Sequence, residues 1–241
     1  MNRGNVFNSN RFHLFVPQYL QNSKMSHELI FNDQKLISLL DQIMELFYKF
    51  GIRNVNMDDI SHHLKISKKT LYQSFKSKED LIEKIFLYDG FKWNNKISAI
   101  DPAQMNAIDI IIHVSTIVYE EMSRLDPKLK FEMMKYYEPI FNKYFLKKQE
   151  HIYNHIIKNL LKGKSEGLYR EDVDNELTAT LYLKNLIEMH SIDYCFSNEI
   201  SFDKIFEVMF ENHIRAISTP AGIAYFEKRK AELSHLQKNI N

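Results

Sequence analysis

Residues 67–81 read SKKTLYQSFKSKEDL, and this stretch decides the fold. Leu71 and Phe75 stand four residues apart, the spacing at which two side chains share one face of a helix. Ser67 precedes that face and Ser77 follows it, and serine favours the position before a helix because its hydroxyl accepts a hydrogen bond from a free backbone amide. The pattern predicts one short helix that begins after Ser67 and another helix that begins after Ser77.

Two further helices are predicted before this stretch. Between Gln34 and Phe50, apolar residues recur at steps of four, three and four, and Gly51 ends the pattern. Asn56 can cap a short helix that follows. A short helix, a tight turn and a second helix with polar outer positions are typical of a helix-turn-helix. The apolar positions of the two preceding helices are Leu36, Leu40, Ile43 and Phe47, and then Ile60 and Leu64.

Residues 61–78 contain five lysines and no acidic residue, although the whole chain has a formal net charge of only +1. In a helix-turn-helix the second helix enters the major groove, so its lysines and Gln73 would reach base edges or phosphates. Tyr72 and Lys78 are expected on backbone phosphates, and the free amides near Met57 and Lys78 would add donors. The alternative is that these lysines form only a solvated helical face. The predicted DNA-contacting residues are Asn56, Met57, Ser67, Lys68, Lys69, Thr70, Tyr72, Gln73, Lys76 and Lys78.

The segment TLYQSFKSKEDL at residues 70–81 resembles the signature T-L-Y-x-Y-F-x-S-K-E-x-L of the TetR family of transcriptional regulators. Three positions depart from the family pattern. Ser74 stands where a second aromatic residue is usual, and Lys65 and Lys69 stand where glycine is common. The missing aromatic at 74 puts one phosphate or packing contact in doubt, whereas lysine at 69 is expected to add a contact in the groove.

The resemblance implies an all-α protein with an N-terminal three-helix helix-turn-helix module and a C-terminal helical domain for effector binding and dimerisation. The expected division is a flexible extension at 1–32, the DNA-binding domain at 33–82 and the effector-binding and dimerisation domain at 83–241. The extension carries Arg3, Arg11 and Lys24, so a basic arm that reaches DNA is an alternative to a merely flexible segment.

In the family the last two long helices of each subunit form a four-helix bundle with those of the partner. Here they correspond to about residues 172 to 195 and 202 to 217. The alternative is that their apolar residues pack only within one subunit. The predicted dimer contacts are Ile187, Phe206, Met209, Phe210 and Ile217.

Composition excludes several other classes of protein. Six glycines and five prolines in 241 residues leave few turns for a fold of many strands, and long helices are expected. Helix starts are predicted at Asp101-Pro102, Asp126-Pro127 and Pro139. The single cysteine, Cys195, excludes an internal disulfide and multi-thiolate metal centres. We expect a cytoplasmic protein with no membrane segment and no cofactor.

Methionine and aromatic residues are dense between Phe86 and Phe145, as in an adaptable, mostly apolar ligand cavity. His151 and His155, four apart on a predicted helix, favour a polar wall of that cavity or an ordinary structural role over a metal site, because no third ligand is evident. The predicted pocket residues are Trp93, Tyr119, Met122, Met134, Tyr137, Phe141 and His155.

A catalytic reading lacks the necessary groups, since no glycine-rich phosphate loop, no Gly-x-Ser-x-Gly turn and no activated cysteine is present. The sequence therefore predicts a regulator, most simply a repressor, that binds a palindromic operator as a homodimer and is released by a small molecule. The alternative is a small-molecule sensor whose helix-turn-helix does not read DNA specifically.

Overall fold

The computed structural model describes residues 31, 33–124, 126–189 and 201–238. Except for Phe31, the predicted extension at 1–32 lies outside the described residues, as does Cys195. Helices fill the described chain, joined by short loops. Their bounds are α1 Gln34–Phe50, α2 Met57–His63, α3 Lys68–Ser74, α4 Lys78–Ser98, α5 Ala107–Ser123, α6 Pro127–Tyr136, α7 Glu138–Ser165, α8 Asn175–Glu188, α9 Phe202–Ile217 and α10 Pro220–Lys238.

The first four helices begin and end where side-chain chemistry predicts. The Asp33 carboxylate accepts a hydrogen bond from the amide of Lys35 at the start of α1. Gly51 ends that helix with φ of 83°, a left-handed conformation that favours glycine. Ser67 and Ser77 cap α3 and α4 through the amides of Thr70 and Asp80. The helix-turn-helix predicted from the sequence is therefore confirmed as local structure.

One predicted helix start is wrong. Asp101 and Pro102 open a turn, in which the Asp101 carboxylate accepts from the amide of Ala103, and α5 begins only at Ala107. Asn106 is the residue that caps α5, through the amide of Asp109. The Asp-Pro pair fits the first positions of a turn as well as those of a helix, which explains the error.

Two hydrophobic cores lie one after the other along α4. Its first half contributes Leu81, Ile85 and Tyr88 to a core shared with α1, α2 and α3. Trp93, in its second half, belongs to a core built from the helices that follow. Helix α4 therefore connects the N-terminal unit physically to the C-terminal helices.

A buried polar contact joins the helices at the far end of the second core. The hydroxyl of Tyr169 donates to Oδ1 of Asn159 at 3.1 Å, and the same amide group donates to the carbonyl of Ala107 at 2.8 Å. The ring of Tyr169 covers the backbone of Gly163 in α7. Because both polar side-chain groups of Asn159 are satisfied, the contact is compatible with full burial. None of the helices in the described part of the chain is both long and apolar enough to cross a bilayer.

Candidate DNA-binding surface and ligand-binding domain

Hydrogen bonds cap both ends of α2. At its start, Asn56 Oδ1 accepts from the amides of Asp58 and Asp59, and the Asp59 carboxylate accepts from the amide of Asn56. At its end, Lys65 adopts φ of 54°, which costs a non-glycine residue about 1 kcal/mol. The amides of Lys65 and Ile66 bond back to the carbonyls of His62 and Ser61. This is the helix-ending geometry in which glycine is common, so Lys65 takes the glycine's place at some cost.

Helix α3 has one buried face and one solvent face. Leu71 and Phe75 are fully buried in the N-terminal core. Lys69, Tyr72 and Gln73 point outward and are exposed. The sequence prediction of which α3 residues face outward therefore agrees with the burial pattern, and the exposed amide, ammonium and phenol groups form a polar surface suited to a groove.

Other residues predicted to contact DNA already have polar partners within the N-terminal unit. The Lys68 ammonium lies 2.7 Å from Oδ2 of Asp58, but both side chains are more than half exposed, so this pair is weak. The hydroxyls of Ser67 and Thr70 lie 2.7 Å apart, so each already has one hydrogen-bond partner.

Lys78 is placed differently from the prediction. Its ammonium donates to the carbonyl of Ile52, and burial lowers the pKa of this lysine below its usual range. Lys78 therefore links the α1–α2 loop to the start of α4. In this conformation its ammonium group is hydrogen-bonded within the N-terminal unit. The Met57 side chain is likewise buried, which leaves only its backbone for a phosphate. Lys76 remains exposed.

A buried carboxylate connects the N-terminal unit to α6. Glu132 is 8% exposed, and its Oε2 accepts from the backbone amide of Arg53 at 3.1 Å. The Arg53 guanidinium donates to the hydroxyl of Tyr136 at 3.0 Å. A side chain at Gly51 would meet the Glu132 carboxylate at 2.9 Å, so this close approach also requires glycine. No sequence pattern pointed to Glu132, because a lone glutamate in a helix is normally exposed.

The predicted pocket residues do not form one group. Trp93 and His155 line a cavity of about 60 Å³ between α4, α5, α7 and α8. Tyr119 and Met122 pack at the edge of the second core, where the Tyr119 ring meets Phe206. Tyr137 and Phe141 instead lie near the N-terminal unit, and Met134 is 47% exposed. The density of methionine and aromatic residues predicted an apolar region but did not distinguish the two cores.

The predicted dimer residues divide similarly. Met209 and Ile217 line an open groove of about 960 Å³ between α8 and α9. Phe206 and Phe210 pack inside the subunit, against Tyr119 and Phe226 respectively, and Ile187 is half-buried. The residues that leave apolar surface uncovered on this face were not predicted: Leu181 is 63% exposed and Val208 is 46% exposed. Their exposure depends on how α8 and α9 pack, which a single helix pattern does not contain.

Tyr182 forms a wall between the cavity and the groove, since it lines both. Its ring stacks on His213 with centroids 3.9 Å apart. Among the described residues no hydrogen-bond partner meets Nε2 of His213, and burial lowers the pKa of His213 from 6.5 to about 4. The imidazole is therefore neutral at pH 7.

We expect His213 to make the protein less stable in mild acid. The unfolded chain takes up a proton near pH 6.5, whereas the folded chain resists until about pH 4. The contribution of neutral His213 to the free energy of unfolding is therefore complete above pH 6.5. It declines as the pH falls and is lost by about pH 4, for a total of roughly 3 kcal/mol. This loss of stability is measured by thermal unfolding at pH 7.5 and at pH 5, monitored by circular dichroism. H213F keeps an aromatic stack without a titrating group and should flatten the dependence, and an unchanged pH dependence in H213F would contradict the assignment.

The histidine pair gives no metal site in the described part of the chain, which holds no cluster of three or more histidine, cysteine, aspartate or glutamate residues suited to a metal ion. His155 lies where the cavity meets solvent. Burial, followed by the nearby Lys158 and His151, lowers the pKa of His155.

Comparison with known proteins identifies the N-terminal module and the fold. The family model of bacterial regulatory proteins of the tetR family matches residues 39–85. No curated protein sequence matches the chain. Three solved structures share its fold at low identity.

The fatty acid degradation regulator FadR from Bacillus halodurans has 14% identity and a TM-score of 0.59, over 75% of this chain and 95% of that one. A TetR-family transcriptional regulator from Cytophaga hutchinsonii has 15% identity and a TM-score of 0.57, over 78% and 96%. AibR, in complex with isovaleryl coenzyme A and operator DNA, has 14% identity and a TM-score of 0.52, over 74% and 97%. The match at 39–85 identifies a TetR-type DNA-binding module in this chain, and the solved structures show that the described helices share the fold of TetR-family regulators.

Proposed function

We propose that the protein is a cytoplasmic repressor that binds a palindromic operator as a homodimer and releases it when a small molecule binds the C-terminal helices. Residues 33–82 would read the DNA, and residues 83–241 would bind the effector and the second subunit. The observation that carries the proposal is the outer face of α3, where Lys69, Tyr72 and Gln73 are exposed on a helix whose inner face is fully buried. A helix held in this way presents fixed donors to a groove.

Each exposed side chain has a chemical role in this proposal. The carboxamide of Gln73 can pair with the N6 and N7 atoms of adenine, and a lysine such as Lys69 can contact guanine or a phosphate. Tyr72 and Lys76 suit backbone phosphates. Lys78 would act indirectly, because its bond to the Ile52 carbonyl positions the start of α4 against the unit.

The second subunit is expected on the α8–α9 face. Leu181 and Val208 are exposed there, and together with Ile205 and Met209 they contribute apolar surface to the open groove. In a two-fold dimer the same patch on each copy covers the other. A dimer also matches the operator, because two recognition helices must reach half-sites one helical turn or a multiple of it apart.

Effector release requires a connection between the C-terminal helices and the N-terminal unit. Helix α4 contributes residues to both cores, and Glu132 and Tyr136 of α6 hold the Gly51–Arg53 turn. A ligand that moves α4 or α6 would therefore change the orientation of the recognition helix. AibR, which shares this fold, has a structure that holds both isovaleryl coenzyme A and operator DNA, and this supports a ligand site and a DNA site on one such chain.

The test is a mobility-shift titration of the purified protein on its own upstream intergenic DNA, at two salt concentrations and with random DNA as competitor. Q73A is expected to weaken operator binding by about 1–3 kcal/mol, or roughly 5- to 150-fold, while random DNA is bound nearly as before. K69A should weaken binding and, if it loses a phosphate contact, reduce the salt slope by about 1.

The matched control is K228A, which removes an exposed lysine of α10. Its affinity and salt slope should equal those of the wild type. Unchanged operator binding in Q73A and K69A together would contradict the docking of α3. A flat salt response of the wild type would instead favour the sensor whose helix-turn-helix does not read DNA.

A further inference from the structure

The cavity between α4, α5, α7 and α8 contains no full charge. Of the described residues that line it, most are aliphatic or aromatic, and none is a lysine, arginine, aspartate or glutamate. The ring of Trp93 closes one side and is 5% exposed. A carboxylate, phosphate or ammonium group placed inside would leave water without gaining an ionic partner, which costs several kcal/mol.

Two polar side chains of the cavity wall form hydrogen bonds inside the protein. Ser115 donates to the carbonyl of Ile112 at 2.7 Å. The Asn159 amide group donates to the carbonyl of Ala107, and its side-chain oxygen accepts from the Tyr169 hydroxyl. The other polar groups of the wall are the imidazole of His155, where the cavity meets solvent, the hydroxyl of Tyr182 and the indole N–H of Trp93. The wall therefore offers a few neutral hydrogen-bonding groups on an otherwise apolar surface.

We infer that this cavity binds a small uncharged molecule with an apolar body and a neutral hydrogen-bonding group. The inference rests on the proposed ligand-responsive function and narrows it, because it excludes a coenzyme A thioester or a free carboxylate as the molecule held inside. Such ligands carry charges that the cavity wall does not match.

The cavity is also small. A volume of about 60 Å³ is less than half of the roughly 150 Å³ apolar cavity that binds benzene. A ligand of six or more heavy atoms must therefore push the walls apart, and α4 is one of them. Since the other half of α4 packs in the N-terminal core, a ligand in the cavity would shift α4 and with it the helix-turn-helix.

Trp93 provides a reporter at the site itself, because it is the single tryptophan of the chain. We would titrate the full-length protein at pH 8 with 1-hexanol, hexanoate and hexylammonium and follow Trp93 emission. The three probes share one apolar chain and differ in the charge of the head group. The expected result is saturable binding of 1-hexanol, at least about tenfold tighter than either ion. Equal or tighter binding of hexanoate or hexylammonium would overturn the inference, and so would no saturable response to 1-hexanol.

Two variants place the response in the cavity. V114F fills the space beside Trp93 and should abolish the 1-hexanol response, while V114A enlarges the space and should shift the preference toward 1-octanol. If V114F fails to fold, the V114A result still decides. T116F, on an exposed position of the same helix, is the control and should respond like the wild type. A V114A protein that keeps the wild-type order of alcohols would contradict binding at this site.

The outcome does not depend on DNA. If 1-hexanol binds as expected but leaves the operator complex intact in the mobility-shift assay, the ligand class stands and the proposed release mechanism fails. If hexanoate binds best and does release the operator, the regulatory proposal stands and the ligand class is overturned.

Discussion

Replacement of Gly163 by alanine is expected to lower the melting temperature by about 6–12 °C, the shift that corresponds to a loss of roughly 3 kcal/mol in a chain of this size. A Cβ at this position would lie 1.9 Å from Cδ2 and 2.3 Å from Cε2 of the Tyr169 ring. The ring has little room to retreat, because Tyr169 is 1% exposed and its hydroxyl is bound to Asn159. The added methyl group must therefore displace a buried aromatic ring or separate α7 from the following loop.

Thermal unfolding of G163A beside G90A tests this prediction. Gly90 lies in the interior of α4, and a Cβ there meets nothing within 4 Å. G90A should be neutral or more stable by about 0.5–1 kcal/mol, since alanine favours a helix. In a Y169A background, where the ring is absent, G163A should cost little further stability. Similar melting temperatures for G163A and the wild type would show that the ring moves more easily than its packing indicates.

The second large effect is expected on assembly. L181E places a carboxylate in the middle of the α8–α9 face, at a side chain that is 63% exposed in the single subunit. The subunit itself should remain folded, because an exposed glutamate in a helix is well tolerated. In the dimer the same carboxylate would be buried without a partner, which costs several kcal/mol and should raise the dimer dissociation constant about 10³-fold.

Sedimentation velocity at micromolar concentration measures the loss, with circular dichroism to confirm folding. L146E is the matched control, because Leu146 is an equally exposed leucine, at 62%, on α7 and away from the groove. Operator affinity should fall in L181E alone, since a single recognition helix reaches only one half-site. A dimeric L181E protein would move the interface to another surface.

Local patterns were sufficient for the N-terminal unit. The serine caps of α3 and α4, the glycine that ends α1 and the four-residue spacing of Leu71 and Phe75 all depend on near neighbours in the chain, and each appears in the structure as expected. The start of α5 was missed because Asp101-Pro102 satisfies a turn and a helix start equally well.

The sites in the C-terminal helices could not be predicted from local patterns, because they depend on contacts between residues far apart in the chain. Trp93 lines the cavity, while Tyr137, also aromatic, lies between α6 and α7 and packs toward the N-terminal unit. The burial of Glu132 against the turn at Gly51 also had no signature in the sequence around it.

By itself, then, the sequence determined the helices, their caps and the basic outer face of α3, because hydrogen bonding and side-chain periodicity within a helix are local. Only the tertiary structure decided that Lys78 is used inside the unit, that Leu181 remains uncovered and that the cavity wall carries no charge. These properties depend on the angle and rotation at which helices far apart in the chain pack together, and side-chain volumes summed over many contacts set those quantities.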